Sequence, residues 1–148
     1  MKKLLKGLVA VTVLMLALTA CGSKSATKTF THENNGITTE MTYTYEGDKI
    51  TRMDMKTVMP FASMMLENKE QAEKTVETMK SADQPVEGIT NEYVIEGETI
   101  VITSSVDYSK VDLEKISEIA GGMTIDPEQV TSMQKVEESL TAQGFTVK

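Results

Sequence analysis

From Ile37 to Tyr45 the chain alternates: Ile37, Met41, Tyr43 and Tyr45 fall on one side, and Thr38, Glu40, Thr42 and Thr44 on the other. A period of two with one apolar side predicts a strand of an antiparallel sheet that is covered on one face and wet on the other. Both flanks continue the pattern. A Thr-rich run from Lys28 through Phe30 is separated from this strand by Asn34, Asn35 and Gly36, a hairpin signal. Glu46, Gly47 and Asp48 mark the turn into a third strand, Lys49 to Met59, which Pro60 ends because it has no N–H for a ladder. A second hairpin about Gly97 joins Ile89–Glu96 to Thr99–Tyr108, with Ile100, Ile102, Val106 and Tyr108 facing inward around Ser104.

Elsewhere the period lengthens to that of a helix. Asn68 caps a segment running to about Ala82, where Ala72, Val76 and Met79 form one stripe. Asp112 caps a short helix with Leu113, Ile116 and Ile119, stopped by Gly121 and Gly122. Asp126, Pro127 and Glu128 open another, with Val130, Met133, Val136 and Leu140 as its buried stripe, and Gly144 is a left-handed stop that folds Phe145 back on Leu140. The expected fold class is therefore α+β: an antiparallel sheet of five to six strands with two main helices and one short helix packed on it. Tyr43, Glu46, Gly47 and Ile50 recur fifty residues later as Tyr93, Glu96, Gly97 and Ile100, a pattern consistent with a duplicated ββα unit.

The first twenty residues follow neither period. Lys2, Lys3 and Lys6 precede an apolar run, Leu8 to Leu18, broken only by Thr12, which is the length of a signal-peptide core and too short to span a bilayer. The run ends in Leu18, Thr19, Ala20 and Cys21, an arrangement that resembles the lipobox of bacterial lipoproteins. Cleavage is expected between Ala20 and Cys21, with a covalent diacylglycerol on the Cys21 sulfur anchoring the chain at the extracytoplasmic face of the cell membrane. Sulfur is needed because it forms a stable thioether. Gly22 to Thr27 is then expected to be a tether, and residues 28–148 a single globular domain.

Composition narrows the function classes. Removing the signal leaves 128 of 148 residues, enough to bury roughly two thirds of the unfolded surface without disulfides, and Cys21 has no second cysteine to pair with. It also removes three lysines and no acid, so twelve basic residues face 22 acidic ones, a net charge of −10. Such a surface repels nucleic acid.

Candidate chemistry is sparse, and no cofactor motif is present. Met53, Met55, Met59, Met64 and Met65 crowd one stretch. Thioethers favour Cu(I), while methionine is also a flexible core filler in a chain with no Trp, and the shared strand face of Met53, Met55 and Met59 favours core filling. These five are the candidate ligand-binding residues. His32 stands alone, with no cysteine left to complete a zinc site and no G-x-S-x-G elbow, and is expected at the surface. Glu137 with Glu138 and Glu114 with Glu118 read as solvated helix surface rather than an acid and base. The expectation is a non-enzymatic module that binds a small solute, a peptide or another envelope protein. The alternatives are a carboxylate-dependent hydrolase of cell-wall or extracellular polymer, and Met-based Cu(I) binding.

Five stretches, Tyr43–Ile50, Phe61–Ser63, Lys69–Thr75, Lys110–Leu113 with the Ile116–Gly121 run, and Gly144–Lys148, together with the lipobox, resemble the YehR family of small bacterial lipoproteins. The resemblance implies helices packed on an antiparallel sheet and carries over no catalytic residue, because the family's function is unassigned.

Overall fold

In a computed structural model, which describes residues 24–119 and 126–148, six strands form one antiparallel sheet in the order β4-β5-β3-β2-β1-β6. The strands are β1 (Ser25–Asn34), β2 (Ile37–Glu46), β3 (Lys49–Pro60), β4 (Ile89–Glu96), β5 (Thr99–Asp107) and β6 (Thr146–Val147). The helices are α1 (Lys69–Ala82), α2 (Leu113–Ile119), α3 (Pro127–Thr131) and α4 (Met133–Ala142), with a 3₁₀ turn at Phe61–Met64. The α+β class is as expected. Residues 1–23, including Ala20 and Cys21, lie outside the described residues, as do Gly121, Gly122 and the side chains of Glu118 and Ile119.

Registered partners share a face of the sheet, so the ladders assign every strand residue to one side. One face carries Phe30, Met41, Tyr43, Met53, Met55, Met59, Ile100, Ile102 and Tyr93. Two apolar clusters form on it. Phe30, Tyr43 and Ile50 pack against Met133, Val136 and Leu140 of α4; Ile100 packs with Phe61 against Ala72 and Val76 of α1. The opposite face carries Thr27, Thr29, Thr42, Thr44, Lys56, Thr103 and Glu92, and the described helices contribute no residue to a cluster there.

The fifty-residue recurrence has a geometric counterpart. β3 and β5 pair Asp54 with Ser105 and Met55 with Ser104, and the offset of fifty exchanges these two pairs, as a two-fold axis normal to the sheet would. Ile50 and Ile100 are each fully buried at the centre of their own cluster, and Gly47 and Gly97 turn their hairpins at φ 64 and 60. The helices are exchanged: α1 follows the first hairpin and covers the second, while α4 follows the second and covers the first.

Three local expectations change. Ser25, Ala26 and Thr27, read as tether, pair with Glu46, Tyr45 and Thr44 and extend β1 toward the amino terminus, because β2 is ten residues long and offers them partners. The helix opened by Asp126 breaks at Ser132 (φ −92, ψ 121), which leaves the helical path to bridge Lys49 and to cap α4 by accepting from Lys135 N. His32 is half-buried rather than free at the surface, its ring stacked 4.8 Å from that of Phe145. The Schellman stop is as read: Phe145 N donates to Leu140 O (3.0 Å) and Gly144 N to Thr141 O (3.1 Å), with Gly144 at φ 89 where a β-carbon would be strained.

Candidate functional site

The five methionines do not converge. Met53 packs on the cluster beneath α4, and Met59 and Met64 on the cluster beneath α1. Six residues of strand put Met53 roughly 20 Å from Met59. Met55 lies between the clusters, opposite Met41, whose sulfur accepts from the Tyr43 hydroxyl (3.6 Å). Met65 is 90% exposed, at φ 55. Thioethers thus serve chiefly as packing along this strand, with Met41, absent from the sequence-predicted set, as the nearest neighbour of Met55.

Between the clusters runs a polar chain that periodicity alone did not show. Ser104, the one buried polar side chain among the described residues, donates to Asn91 Oδ1 (2.7 Å); Asn91 Nδ2 donates to Asp83 Oδ2 (3.2 Å), which also accepts from the Tyr93 hydroxyl (2.6 Å). Asp83 ends α1, so the chain ties that helix to β4 and β5. Burial, then the hydrogen bond that its hydroxyl donates to Asp83 and the charge of that carboxylate, push the Tyr93 phenol up to about 12; burial and then Tyr108 push Tyr43 to about 12. A phenol whose folded pKa is raised stabilises the fold fully below its unfolded value of 10 and ceases to do so as the pH climbs through 12. Alkaline titration followed by tyrosinate absorbance and circular dichroism should show unfolding across that interval, and Tyr43→Phe should delete one late-ionising group. Ionisation of both phenols near 10 in the folded protein would contradict the packing described.

Carboxylates with shifted acidity serve the fold. The turn between β2 and β3 docks on the start of α4: Asp48 accepts from Ser132 Oγ (2.6 Å) and Gln134 N (2.8 Å), while its carbonyl accepts from Met133 N (2.8 Å). These bonds, the Ser132 hydroxyl foremost, hold the Asp48 carboxyl below its ordinary value. Asp107, bonded first by the Ser109 hydroxyl and then by Lys110, is lowered to about 2, and the Arg52 guanidinium lowers Asp54. Depressed carboxyls stabilise the fold above the unfolded value and lose that contribution as pH falls through the folded one. Acid unfolding should therefore develop from near 3.8 toward 2, and Asp48→Ala should lower Tm at neutral pH while flattening the acid limb. An unchanged Tm would refute the docking role. Glu137, expected as solvated surface, is instead bonded to Lys28 on β1 (2.5 Å), whereas Glu138 accepts from Gln134 at the surface and Glu114 is exposed. Among the described residues no group of three or more His, Cys, Asp or Glu is placed to hold a metal ion.

Shallow grooves lie on the described surface. One surrounds the Asp48 dock, lined by Glu46, Lys49, Glu128 and Lys135. The other runs along the outer edge of β4 beside α1, about 430 Å³, with Val76, Tyr93, Val94 and Ile95 along it and Lys69, Glu73, Glu77 and Lys80 on its helical wall. Val94 is 39% exposed there, one of three exposed large apolar side chains among the described residues. Among the described residues β4 ends the sheet, so this edge is open. Asp107 N donates to Gly88 O, so alternation turns the main chain of Thr90, Glu92 and Val94 toward β5 and leaves the N–H and C=O groups of Asn91, Tyr93 and Ile95 facing outward.

A six-stranded antiparallel sheet with α1 and α4 packed on one face defines a small α+β domain. Residues 26–146 match the family described as Protein of unknown function (DUF1307), and the chain belongs to that family. It is 35% identical to an uncharacterized lipoprotein of Listeria innocua over 98% of this chain and 97% of that one, and 29% identical to the uncharacterized lipoprotein YehR of Escherichia coli over 93% and 92%. The NMR structure of Escherichia coli YehR superposes with a TM-score of 0.71 at 27% identity, covering 86% of this chain and 93% of that one. A Streptococcus pneumoniae protein shares the fold, with a TM-score of 0.61 at 16% identity over 87% and 88%. The YehR resemblance read from the five stretches is therefore a true relationship. Among the described residues no helix is long and apolar enough to cross a membrane.

Proposed function

We propose that the protein is a lipid-anchored module at the extracytoplasmic face of the cell membrane that binds a partner molecule rather than transforming one. Membership of a lipoprotein family and the lipobox at Cys21 support the anchor. Because β1 begins at Ser25, only Gly22, Ser23 and Lys24 separate Cys21 from the sheet, a span of at most about 14 Å. The observation that carries the binding reading is the sheet itself: among the described residues its Thr-rich face takes no part in either helix-packed cluster and its β4 edge pairs with no strand on the outer side, which leaves main-chain and side-chain surface for association.

Photo-crosslinking in native membranes tests this. A photoreactive residue at Lys56, Thr103 or Glu92 should give discrete adducts, and one at Gln129 on α3 should give none. Adducts from no position, or release of products when the isolated protein meets purified cell-wall polymer, would overturn the reading.

A further inference from the structure

Under the fifty-residue offset β4 corresponds to β2, yet the two edges differ. β2 is covered along its whole length by β1, whereas β4 has no strand on its outer side among the described residues. β1 therefore shows what such an edge accepts. Its Phe30 stands opposite Met41 and is fully buried beneath α4; its Lys28 stands opposite Tyr43 and reaches Glu137, the residue after buried Val136. β4 offers the corresponding parts. Asn91 and Tyr93 hold the positions of Met41 and Tyr43 with outward main-chain groups, α1 stands above them, and Glu73 and Glu77 follow buried Ala72 and Val76 on the wall of the groove.

We propose that the open edge of β4, beside α1, takes up an extended segment of a partner polypeptide, antiparallel to β4, with a basic side chain opposite Tyr93 and a large apolar side chain opposite Asn91. The proposal rests on the binding reading above and names its surface and partner. Main-chain bonds to Asn91, Tyr93 and Ile95 supply the pairing, and the alternate side chains supply the choice of segment. Charge selects a cationic strand: Glu73, Glu77, Glu92 and Glu96 border the edge against Lys69 and Lys80, and Lys69 is itself engaged by Glu73 (3.8 Å). A second copy of this chain would set the same acidic border against itself.

The probe is a capped peptide with the sequence of Ser25–Asn34, added to the full chain purified from membranes in detergent and followed by hydrogen–deuterium exchange mass spectrometry. Exchange should slow in Ile89–Glu96 and stay unchanged in Ile37–Glu46. A peptide carrying Lys28→Glu should bind about fivefold more weakly and recover on a Glu73→Lys, Glu77→Lys variant, whose exposed substitutions leave both clusters intact. Faster exchange in Ser25–Asn34 would mean that the peptide displaces the chain's own β1, and protection of β4 that rises with protein concentration alone would mean self-pairing; either overturns the proposal, as does no protection or indifference to Lys28→Glu. Crosslinked adducts persisting while β4 stays unprotected would sink this edge and leave the binding reading standing; loss of both sinks both.

Discussion

Phe30→Ala should lower the unfolding free energy by about 4 kcal/mol, a large part of the 5–15 kcal/mol typical of a domain. Phe30 is fully buried, meets the Tyr43 ring edge-on at 6.0 Å and packs in the cluster with Met133, Val136 and Leu140. Truncation removes the ring's transfer free energy and leaves a cavity that the sheet cannot close, since β1 is held between β2 and β6. Urea unfolding should show a lower midpoint with an unchanged slope. Phe61→Ala acts in the other cluster, so the double variant should lose the sum of the two single losses. A loss below about 1 kcal/mol for Phe30→Ala would mean that β1 is not part of the cooperative core.

Cys21→Ala should move the protein from the detergent phase to the aqueous phase, or trap it as precursor with residues 1–20 attached. Two acyl chains on Cys21 would bury on the order of thirty methylenes at about 0.8 kcal/mol each, making the proposed anchor effectively permanent, whereas the polar, acidic domain has no comparable affinity for lipid. Intact mass and phase partitioning of wild type and variant measure the effect directly. Equal mass and equal partitioning would remove the lipid anchor and with it the short leash on the domain.

Much of this architecture was legible because local rules and tertiary packing agree. The alternation from Ile37 to Tyr45, the caps at Asn68 and Asp126 and the stop at Gly144 each answer to main-chain geometry within a few residues, and each stands where its local chemistry puts it. The candidate site was less legible. Five methionines close in sequence were dispersed, Met53 to one cluster, Met59 and Met64 to the other, Met55 between them and Met65 to the surface, because α1 and α4 cover opposite ends of one strand, a fact that depends on helices outside that strand. The half-buried His32 and the bonded Glu137 were missed for the same reason: their partners, Phe145 and Lys28, are remote in the chain.

The sequence alone determined the five longer strands to within a few residues, most helix limits, the acidic composition and the recurrence of Tyr, Glu, Gly and Ile at fifty residues, because these follow from side-chain period, turn conformation and charge. Only the tertiary structure decided that Ser132 leaves its helix to meet Asp48, that the two helices exchange hairpins, and that β4 has no strand on its outer side among the described residues. Those outcomes depend on which surfaces meet across more than eighty residues in the case of Asp48 and Ser132. Burial and hydrogen bonding there outweigh propensities of a few tenths of a kcal/mol that local patterning can read.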